Sequence, residues 1–256
     1  MDIKVLGDLT VERDGEPITP VGGSPGQVLA LLASLANRVV PIDVLLDELW
    51  PDKRPAHARS VLDAYVNELR EVISAVRRRR PAGHAPAPRE VLADHRGGYR
   101  LDIGAGTVDA WQFERAVGAG CRAMETQDFA TASRRLRQGL ALWQAQPFTG
   151  VNIGRHLARH VAELERARQR AVDQWVEAEL RLGRYRQLVS ELVALPPRTS
   201  FADDLATVLQ QCEDERQALA AFQQWRRERR VHRSSLLTRD SWRPPVEEAA
   251  GARGIV

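Results

Sequence analysis

Between Ala56 and Leu101 the chain reads AHARSVLDAYVNELREVISAVRRRRPAGHAPAPREVLADHRGGYRL. The first part of this stretch predicts an α-helix, because its apolar side chains recur at the period of one helical stripe: Leu62, Val66, Leu69 and Ile73. The side chains that lie away from the stripe are short or polar: Ser60, Asp63, Ala64, Asn67 and Arg70. A helix with these two faces suits the major groove of DNA, and an ordinary surface helix with a solvated face is the alternative.

The last part of the stretch predicts a β-hairpin. Two short apolar runs, Val91-Leu92 and Tyr99-Arg100-Leu101, lie on either side of the turn signal Gly97-Gly98. Arg96 stands beside the predicted tip, where an arginine is well placed to enter a narrow minor groove. Between helix and hairpin, the run from Arg77 to Arg80 and the prolines after it predict a solvated loop, with direct phosphate contact by these arginines as the alternative.

Composition bounds the class of protein. The chain has 256 residues, 43% of them hydrophobic, which is enough for two domains with their own cores. It contains no apolar run near the ~18 residues of a membrane span and no signal-peptide pattern, so we expect a cytoplasmic protein that does not enter a membrane. Cys121 and Cys212 match no metal or redox spacing. We therefore expect no cofactor and no catalytic activity.

The charge balance is uneven along the chain. The whole sequence carries a formal net charge of +3. Residues 1–105 hold 14 basic and 15 acidic side chains and therefore a net charge of −1, which is unusual for a DNA-binding domain. The basic side chains are concentrated between Lys53 and Arg100. Because phosphate neutralisation supplies most non-specific affinity, we expect modest, salt-sensitive binding by a single copy.

The segment before the decisive stretch predicts a small sheet and two helices. Ile3–Leu6 and Leu9–Val11 are expected as strands, with a further turn at Asp14-Gly15. Gln27–Ala36 is expected as the first helix, and Pro41 suits the first turn of a second helix that runs to Trp50. The loop that follows contains Pro51, Asp52, Lys53 and Arg54.

A small antiparallel sheet, three helices and a basic hairpin in this order resemble the winged helix of OmpR-type transcription regulators. The residues that carry the resemblance are Leu69-Arg70 late in the third helix and Arg96-Gly97-Gly98-Tyr99-Arg100 in the wing, which lacks one residue of the family's wing pattern. The resemblance implies that the loop of Pro51, Asp52, Lys53 and Arg54 touches RNA polymerase. Lys53 and Arg54 are equally suited to backbone phosphates.

From Thr107 onward the pattern predicts helices only. They begin near Asp109 and Asp128, a long one runs from about Leu157 to Leu182, and shorter ones follow after Gly183 and after Pro196-Pro197. Side chains proposed for the inner face of the long helix are Val161, Leu164, Ala171, Trp175, Ala178 and Leu182. Paired helices with Gly-x-Tyr corners resemble tetratricopeptide repeats, although the period of about 34 residues is not clean. Such pairs need their neighbours to bury a face, so we expect one stacked unit.

The two halves together resemble the Streptomyces antibiotic regulatory protein family, in which an OmpR-type winged helix is fused to a bacterial transcriptional activation domain. The shared motifs are Val5-Leu6-Gly7, Asn37 to Pro41, Asp109, Phe113-Glu114, Ala141-Leu142-Trp143, Leu182-Gly183-Arg184 and Ala218-Leu219-Ala220. The expected fold is therefore mainly α: a winged helix-turn-helix in residues 1–105, an all-α tetratricopeptide-like domain in residues 106–231 and a poorly ordered tail in residues 232–256.

The resemblance implies a DNA-binding activator of a secondary-metabolite gene cluster. Two copies, a homodimer at least on DNA, would read direct repeats in double-stranded DNA and recruit RNA polymerase holoenzyme. In this scheme Lys53, Arg59 and Arg70 hold phosphates, Asp63 and Asn67 read bases, and Arg96 enters the minor groove. The full predicted set is Lys53, Arg54, Arg59, Ser60, Val61, Asp63, Ala64, Asn67, Arg70, Arg96 and Gly97. Val61, Asp63 and Glu68 depart from the residue types usual for the family, which predicts an altered target sequence.

Two other functions remain open from the residues. The net charge of −1 in residues 1–105 and the acidic substitutions on the predicted helix favour a protein-interaction scaffold that no longer binds DNA. A ligand sensor is the other alternative, with Trp143, Trp175 and Tyr185 as candidate pocket residues, although such side chains more often pack in a core.

Overall fold

The computed structural model of the chain describes residues 1–13, 16–18, 22–78, 91–195, 200–214 and 216–227. The predicted turn at Asp14-Gly15, most of the Pro-rich loop and the tail from His232 lie outside these residues. The described part is mainly helical, with two small antiparallel sheets. None of its helices is long and apolar enough to cross a membrane.

The N-terminal half begins with a three-stranded sheet. Strands β1 (Asp2–Lys4), β2 (Thr10–Arg13) and β3 (Glu16–Ile18) pair in that order, with Ile3 opposite Val11 and Val11 opposite Ile18. Because alternate residues of a strand point to the same face, these three apolar side chains share the buried face. The predicted sheet before the helices is therefore confirmed, although β1 ends at Lys4 and leaves Val5 and Leu6 outside it.

Three helices and a second sheet complete this half. The helices are α1 (Gly23–Ser34), α2 (Ile42–Leu49) and α3 (Ala58–Arg78). Strands β4 (Val39–Pro41), β5 (Leu92–His95) and β6 (Gly98–Leu101) form a sheet in the order β4-β6-β5. Pro41 precedes the first turn of α2 as its extended N-cap residue rather than lying within that turn. The segment between α1 and α2 is thus a strand that ties the wing to the helices.

The C-terminal half is helical in its described residues. The helices are α4 (Asp109–Glu125), α5 (Phe129–Leu140), α6 (Arg155–Arg181), α7 (Tyr185–Ala194), α8 (Ser200–Gln210) and α9, which covers residues 216–227. Asp128 caps α5 by accepting from Thr131 N at 3.0 Å. Gly183, at φ +72°, ends α6 in the left-handed conformation that a helix C-terminus favours.

The two halves share one hydrophobic core. The buried cluster runs from Ile3 and Leu6 through Leu62 to Phe113 and Trp143 without a break. The backbone also crosses between the halves, because Gln144 N and Phe148 N donate to the carbonyl oxygens of residues 6 and 5 at 2.8 and 3.0 Å. The winged helix is therefore packed against the helical half rather than tethered by a loose linker.

Candidate nucleic-acid interface

Helix α3 has the two faces that its sequence predicts. Leu62 and Val66 are fully buried, and Leu69 and Ile73 are 2% exposed. On the other side, Ser60, Ala64 and Asn67 are exposed, and Val61 is half-buried. Glu68 is exposed as well. The helix therefore presents a bare strip of small and polar side chains, a surface that can approach base edges closely.

Arg70 connects α3 to the wing. Its Nε and Nη2 donate to the carbonyl oxygen of Leu92 at 3.1 and 2.8 Å, and Nη2 also donates to Asp94 Oδ2 at 2.8 Å. The Arg70 side chain is only 11% exposed. The guanidinium of Arg70, predicted to hold a phosphate, is thus engaged by the wing strand β5.

Arg70 also orients Asn67. The Nη1 of Arg70 donates to Asn67 Oδ1 at 3.3 Å, one helical turn away. Because Asn67 is exposed and Arg70 bonds to its amide oxygen, the amide nitrogen remains available to donate. An amide held in this way can donate to a base acceptor while its oxygen retains a second lone pair for a base donor.

Asp63 is engaged by two neighbours. Its Oδ1 accepts from Arg59 Nε at 2.9 Å and from the Tyr99 hydroxyl at 2.6 Å. Burial, followed by the hydrogen bond to Asp63, raises the pKa of Tyr99 to about 12, so the phenol stays protonated and continues to donate. The carboxylate of Asp63, predicted to read a base, thus joins α3 to the wing strand β6. The Arg59 side chain remains 51% exposed and lies over the Tyr99 ring at 5.8 Å.

The loop between α2 and α3, which lies within the described residues, treats its two basic side chains differently. Pro51, Asp52 and Lys53 are exposed. Arg54 instead donates to Asp47 Oδ1 at 2.6 Å and Asp43 Oδ1 at 3.2 Å, both on α2. These bonds lower the pKa of Asp47 and raise that of Arg54. Of the two basic residues predicted to meet phosphate or polymerase, Lys53 is presented and Arg54 is held against its own domain.

The wing tip is one residue earlier than the sequence predicts. His95 pairs with Gly98, so the turn consists of Arg96 and Gly97, both exposed, with Gly97 at φ +85°. Gly98 lies inside β6, where a Cβ atom would stand 2.3 Å from the Val40 carbonyl oxygen. The second glycine therefore allows close strand packing, and the first allows the turn that displays Arg96.

Two buried carboxylates that sequence reasoning did not assign fix this interface to the helical half. Glu48 on α2 is 1% exposed and accepts from Gly154 N, His156 N and Leu157 N at the start of α6, at 2.6, 2.7 and 3.1 Å. Asp109 accepts from Val5 N and Leu6 N at 2.9 and 3.0 Å. The shared motifs Val5-Leu6-Gly7 and Asp109 thus contact each other.

The predicted pocket residues lie in different places. Trp143 and Trp175 are 1% and 2% exposed, and Trp143 packs edge-on against Phe113 with ring centroids 5.4 Å apart. Both side chains belong to the core. Tyr185 borders an open cleft of about 800 Å³ with Gly183, Arg184, Arg186, Gln187, Glu213, Asp214 and Arg216. No group of three or more potential metal ligands occurs among the described residues.

Comparison with known proteins agrees with both halves of the fold. Residues 20–101 match the family model described as transcriptional regulatory protein, C terminal, and residues 108–231 match the bacterial transcriptional activator domain. Regulatory protein DnrI of Streptomyces peucetius is 37% identical over 205 residues, which cover 80% of this chain and 74% of DnrI. Transcriptional regulator RedD of Streptomyces coelicolor is 28% identical over 226 residues, with 87% of this chain and 63% of RedD covered.

A mycobacterial regulator has the same architecture. Transcriptional regulatory protein EmbR of Mycobacterium tuberculosis is 31% identical over 211 residues, and the chain spans about half of EmbR, 52%. A solved structure of EmbR in complex with a low affinity phosphopeptide superposes with a TM-score of 0.69 at 28% identity. The superposition covers 86% of this chain and 54% of the EmbR chain.

A winged helix with a bare recognition face, fused to a bacterial transcriptional activator domain, defines a DNA-binding transcriptional activator. The chain belongs to the Streptomyces antibiotic regulatory protein family.

Proposed function

We propose that this protein activates a secondary-metabolite gene cluster by binding direct repeats in double-stranded DNA and recruiting RNA polymerase holoenzyme. The observation that carries the proposal is the bare strip of Ser60, Ala64 and Asn67 on a helix whose opposite face is buried. Asn67 reads an adenine edge, Ala64 leaves room for a thymine methyl group and Ser60 contacts the base or phosphate beside it. Val61 lies at the edge of this strip.

Other contacts position the protein on the duplex. Arg96, with Gly97 beside it, enters the minor groove from the wing tip, and Lys53 and Arg59 hold phosphates on either side of the major groove. The exposed loop residues Pro51, Asp52 and Lys53 face polymerase. Arg54 and Asp63 support this surface from behind through their contacts within the domain.

The proposal includes how the molecule is organised and where it acts. Residues 1–105 carry DNA recognition, residues 106–231 carry activation and dimer contacts, and residues 232–256 form a tail. Two copies lie head to tail on direct repeats, because a two-fold symmetric dimer would instead select a palindrome. The protein acts in the cytoplasm on DNA without catalysing a reaction, which is consistent with relatives that are transcriptional regulators.

Binding of the purified chain to DNA upstream of the genes next to its own, at two salt concentrations, tests this function. We expect tight binding to fragments with spaced direct repeats, weakening steeply with salt. A scrambled fragment of the same length and composition is the control and should bind far more weakly. Equally weak binding to both fragments, or none, would contradict sequence-specific activation and favour the protein-interaction scaffold.

A further inference from the structure

Helix α6 carries a row of four exposed arginines on one face. Arg155, Arg159, Arg166 and Arg170 are all exposed. They stand at i, i+4, i+11 and i+15, which at about 100° per residue places all four within about 60° of each other on the helix surface. The row is about 22 Å long, at a rise of about 1.5 Å per residue. We call these four residues the α6 arginine stripe.

The stripe carries four arginines, with one exposed carboxylate, Glu163, beside it. Its single salt bridge within the described part of the chain joins Arg159 Nε to Glu163 Oε1 at 3.3 Å, between side chains that are 83% and 52% exposed. Such an exposed pair is weak and exchanges easily for another anion. Arg166 uses its Nε to donate to the Ala162 carbonyl oxygen at 2.9 Å. The next residues on this face are Asp173 and Glu177, so the positive charge ends at Arg170.

The stripe begins beside the DNA-binding half. Glu48 of α2 holds the first turn of α6 through Gly154 N and His156 N. The charge of Arg155 also contributes, after Arg54 and His156, to the lowered pKa of Asp47 on α2. Asp47 in turn binds Arg54, which lies in the loop that leads into α3. The first arginine of the stripe therefore lies near the end of α2 that holds this loop.

Among its described residues, the recognition surface presents few cations. Arg54 and Arg70 are bound to Asp47 and Asp94 within their own domain, whereas Arg59 pairs with Asp63 but is 51% exposed and can still meet phosphate. Residues 1–105 have a net charge of −1. Further positive charge beside this surface would strengthen binding, because neutralised phosphates supply most of the affinity.

We propose that the α6 arginine stripe binds the sugar–phosphate backbone of DNA that flanks the sequence read by α3. The proposal rests on the proposed function, since it extends the same duplex beyond the recognition helix. A row of about 22 Å matches roughly two-thirds of a turn of B-DNA, whose turn is about 34 Å. The helical half thus adds affinity that is independent of sequence, and α3 adds the sequence preference.

The test compares two duplexes and three forms of the full chain. The native chain first selects a binding site from a random duplex library. This site is then placed in a short duplex of about 20 base pairs and in a long duplex that adds about one helical turn on each side. The stripe variant carries Arg159→Gln, Arg166→Gln and Arg170→Gln. The matched control carries Arg122→Gln, Arg134→Gln and Arg135→Gln, which removes the same charge from exposed positions on α4 and α5. Dissociation constants are measured over a range of salt, and circular dichroism checks that all forms are folded.

For the native chain we expect a steeper salt dependence on the long duplex, by about two to three counterions. The stripe variant should lose this difference and bind the long duplex about tenfold more weakly at low salt, while it binds the short duplex as the native chain does. The control variant should match the native chain on both duplexes.

Three results would overturn the proposal. Equal salt dependence of the native chain on both duplexes would mean that the flanks are not contacted. Equal losses by the stripe and control variants would indicate only a general charge effect. A stripe variant with native DNA binding but weaker activation by purified polymerase would assign the stripe to a protein partner. Failure of the native chain to select any site would instead overturn the proposed function, and this is seen before the variants are compared.

Discussion

At the scale of single residues, Arg70 is a structural arginine on a DNA-binding helix. Because its guanidinium bonds to the Leu92 carbonyl and the Asp94 carboxylate from a nearly buried position, Arg70→Ala should lower the free energy of unfolding by about 2–3 kcal/mol. The salt dependence of any remaining DNA binding should stay native, because no phosphate contact is lost. Denaturant unfolding and a salt titration of binding measure the two effects.

Arg96→Ala is the control for Arg70→Ala, because its effect is expected on DNA binding and not on stability. Its side chain is exposed at the wing tip, so Arg96→Ala should leave the free energy of unfolding within about 0.5 kcal/mol of the native value. The same change should lower the salt slope of binding by about one counterion. If Arg70→Ala flattened the slope and left stability intact, the assignment of Arg70 to the wing would be wrong.

Asn67 is the residue on which we place base preference. Asn67→Ala should cost about 1–3 kcal/mol of binding at the preferred base and relax the preference at that one position only. Because the side chain is exposed, the unfolding curve should hardly change. Binding of the variant to the four single-base versions of a selected site measures the preference. Uniform loss at every position of the site would show that Asn67 supports the helix instead of reading a base.

At the scale of elements, α2 and α6 meet through a carboxylate. Glu48 accepts three backbone N–H groups at the start of α6, where helix N-termini present unpaired donors. Glu48→Ala leaves these donors buried without an acceptor, so it should lower the free energy of unfolding by about 3 kcal/mol. Asp47→Ala is the matched control one residue earlier. Its carboxylate is 43% exposed and holds Arg54, so its loss should cost less than about 1 kcal/mol.

Comparable losses of unfolding free energy in Glu48→Ala and Asp47→Ala would contradict the capping role of Glu48.

DNA binding separates the effect of Glu48 on stability from its effect on the position of α6. If Glu48 positions α6 on α2, the Glu48→Ala variant should lose the extra affinity for long duplexes more than it loses affinity for short ones. Glu48→Gln, which keeps one side-chain oxygen as an acceptor, should restore part of the stability.

A helix and its buried face could be predicted from the sequence where the apolar residues follow one clear period. The stripe of Leu62, Val66 and Leu69 fixed α3 and its exposed side, because apolar period alone determines which face packs. The same reasoning did not find the partners of Arg70 and Asp63, which lie 22 and 36 residues away on the wing. The spacing of apolar residues predicts which side of a helix is exposed. It does not predict which oppositely charged side chain from elsewhere in the fold will pair with a residue on that side.

At the scale of the whole molecule, the sequence predicted two domains and gave no sign of how closely they join. Asp109 lies more than 100 residues from its partners Val5 and Leu6, and Glu48 lies as far from Gly154. From the local sequence, carboxylates such as these are expected at the surface, and only the complete fold shows that they are buried. The hydrogen bonds of both groups cross from one half to the other, so the halves should unfold together.

The pH dependence of stability follows from a histidine in this joint core. Burial lowers the pKa of His160 on α6, whose ring lies 6.2 Å from that of Phe148 and whose charged neighbours are Glu163 and Glu114. The unfolded chain therefore takes up this proton first, and stability present above about pH 6.5 is lost as the pH falls. Burial raises the pKa of Asp109, which has the opposite sign and does not add to this loss.

The free energy of unfolding should thus fall between pH 7 and pH 5, by at most about 1.4 kcal/mol per pH unit from this one group. In the variant His160→Gln the decline should be smaller. Denaturant unfolding at pH 8, 7, 6 and 5 gives both profiles. Parallel profiles for the native chain and the variant would assign the decline to other groups.

Asp109 decides whether the molecule behaves as one cooperative unit. Its carboxylate accepts from Val5 N, Leu6 N and Ala110 N at the junction of the halves, and its removal leaves backbone donors buried without a partner. Asp109→Ala should cost about 3 kcal/mol and split a single calorimetric unfolding transition into two, because the N-terminal strand then detaches from the helical half. Asp128→Ala removes an exposed helix cap inside the helical half, so it should cost about 1 kcal/mol and keep a single transition. A single transition in both variants would mean that the shared apolar core and the remaining hydrogen bonds between the halves are enough to couple them.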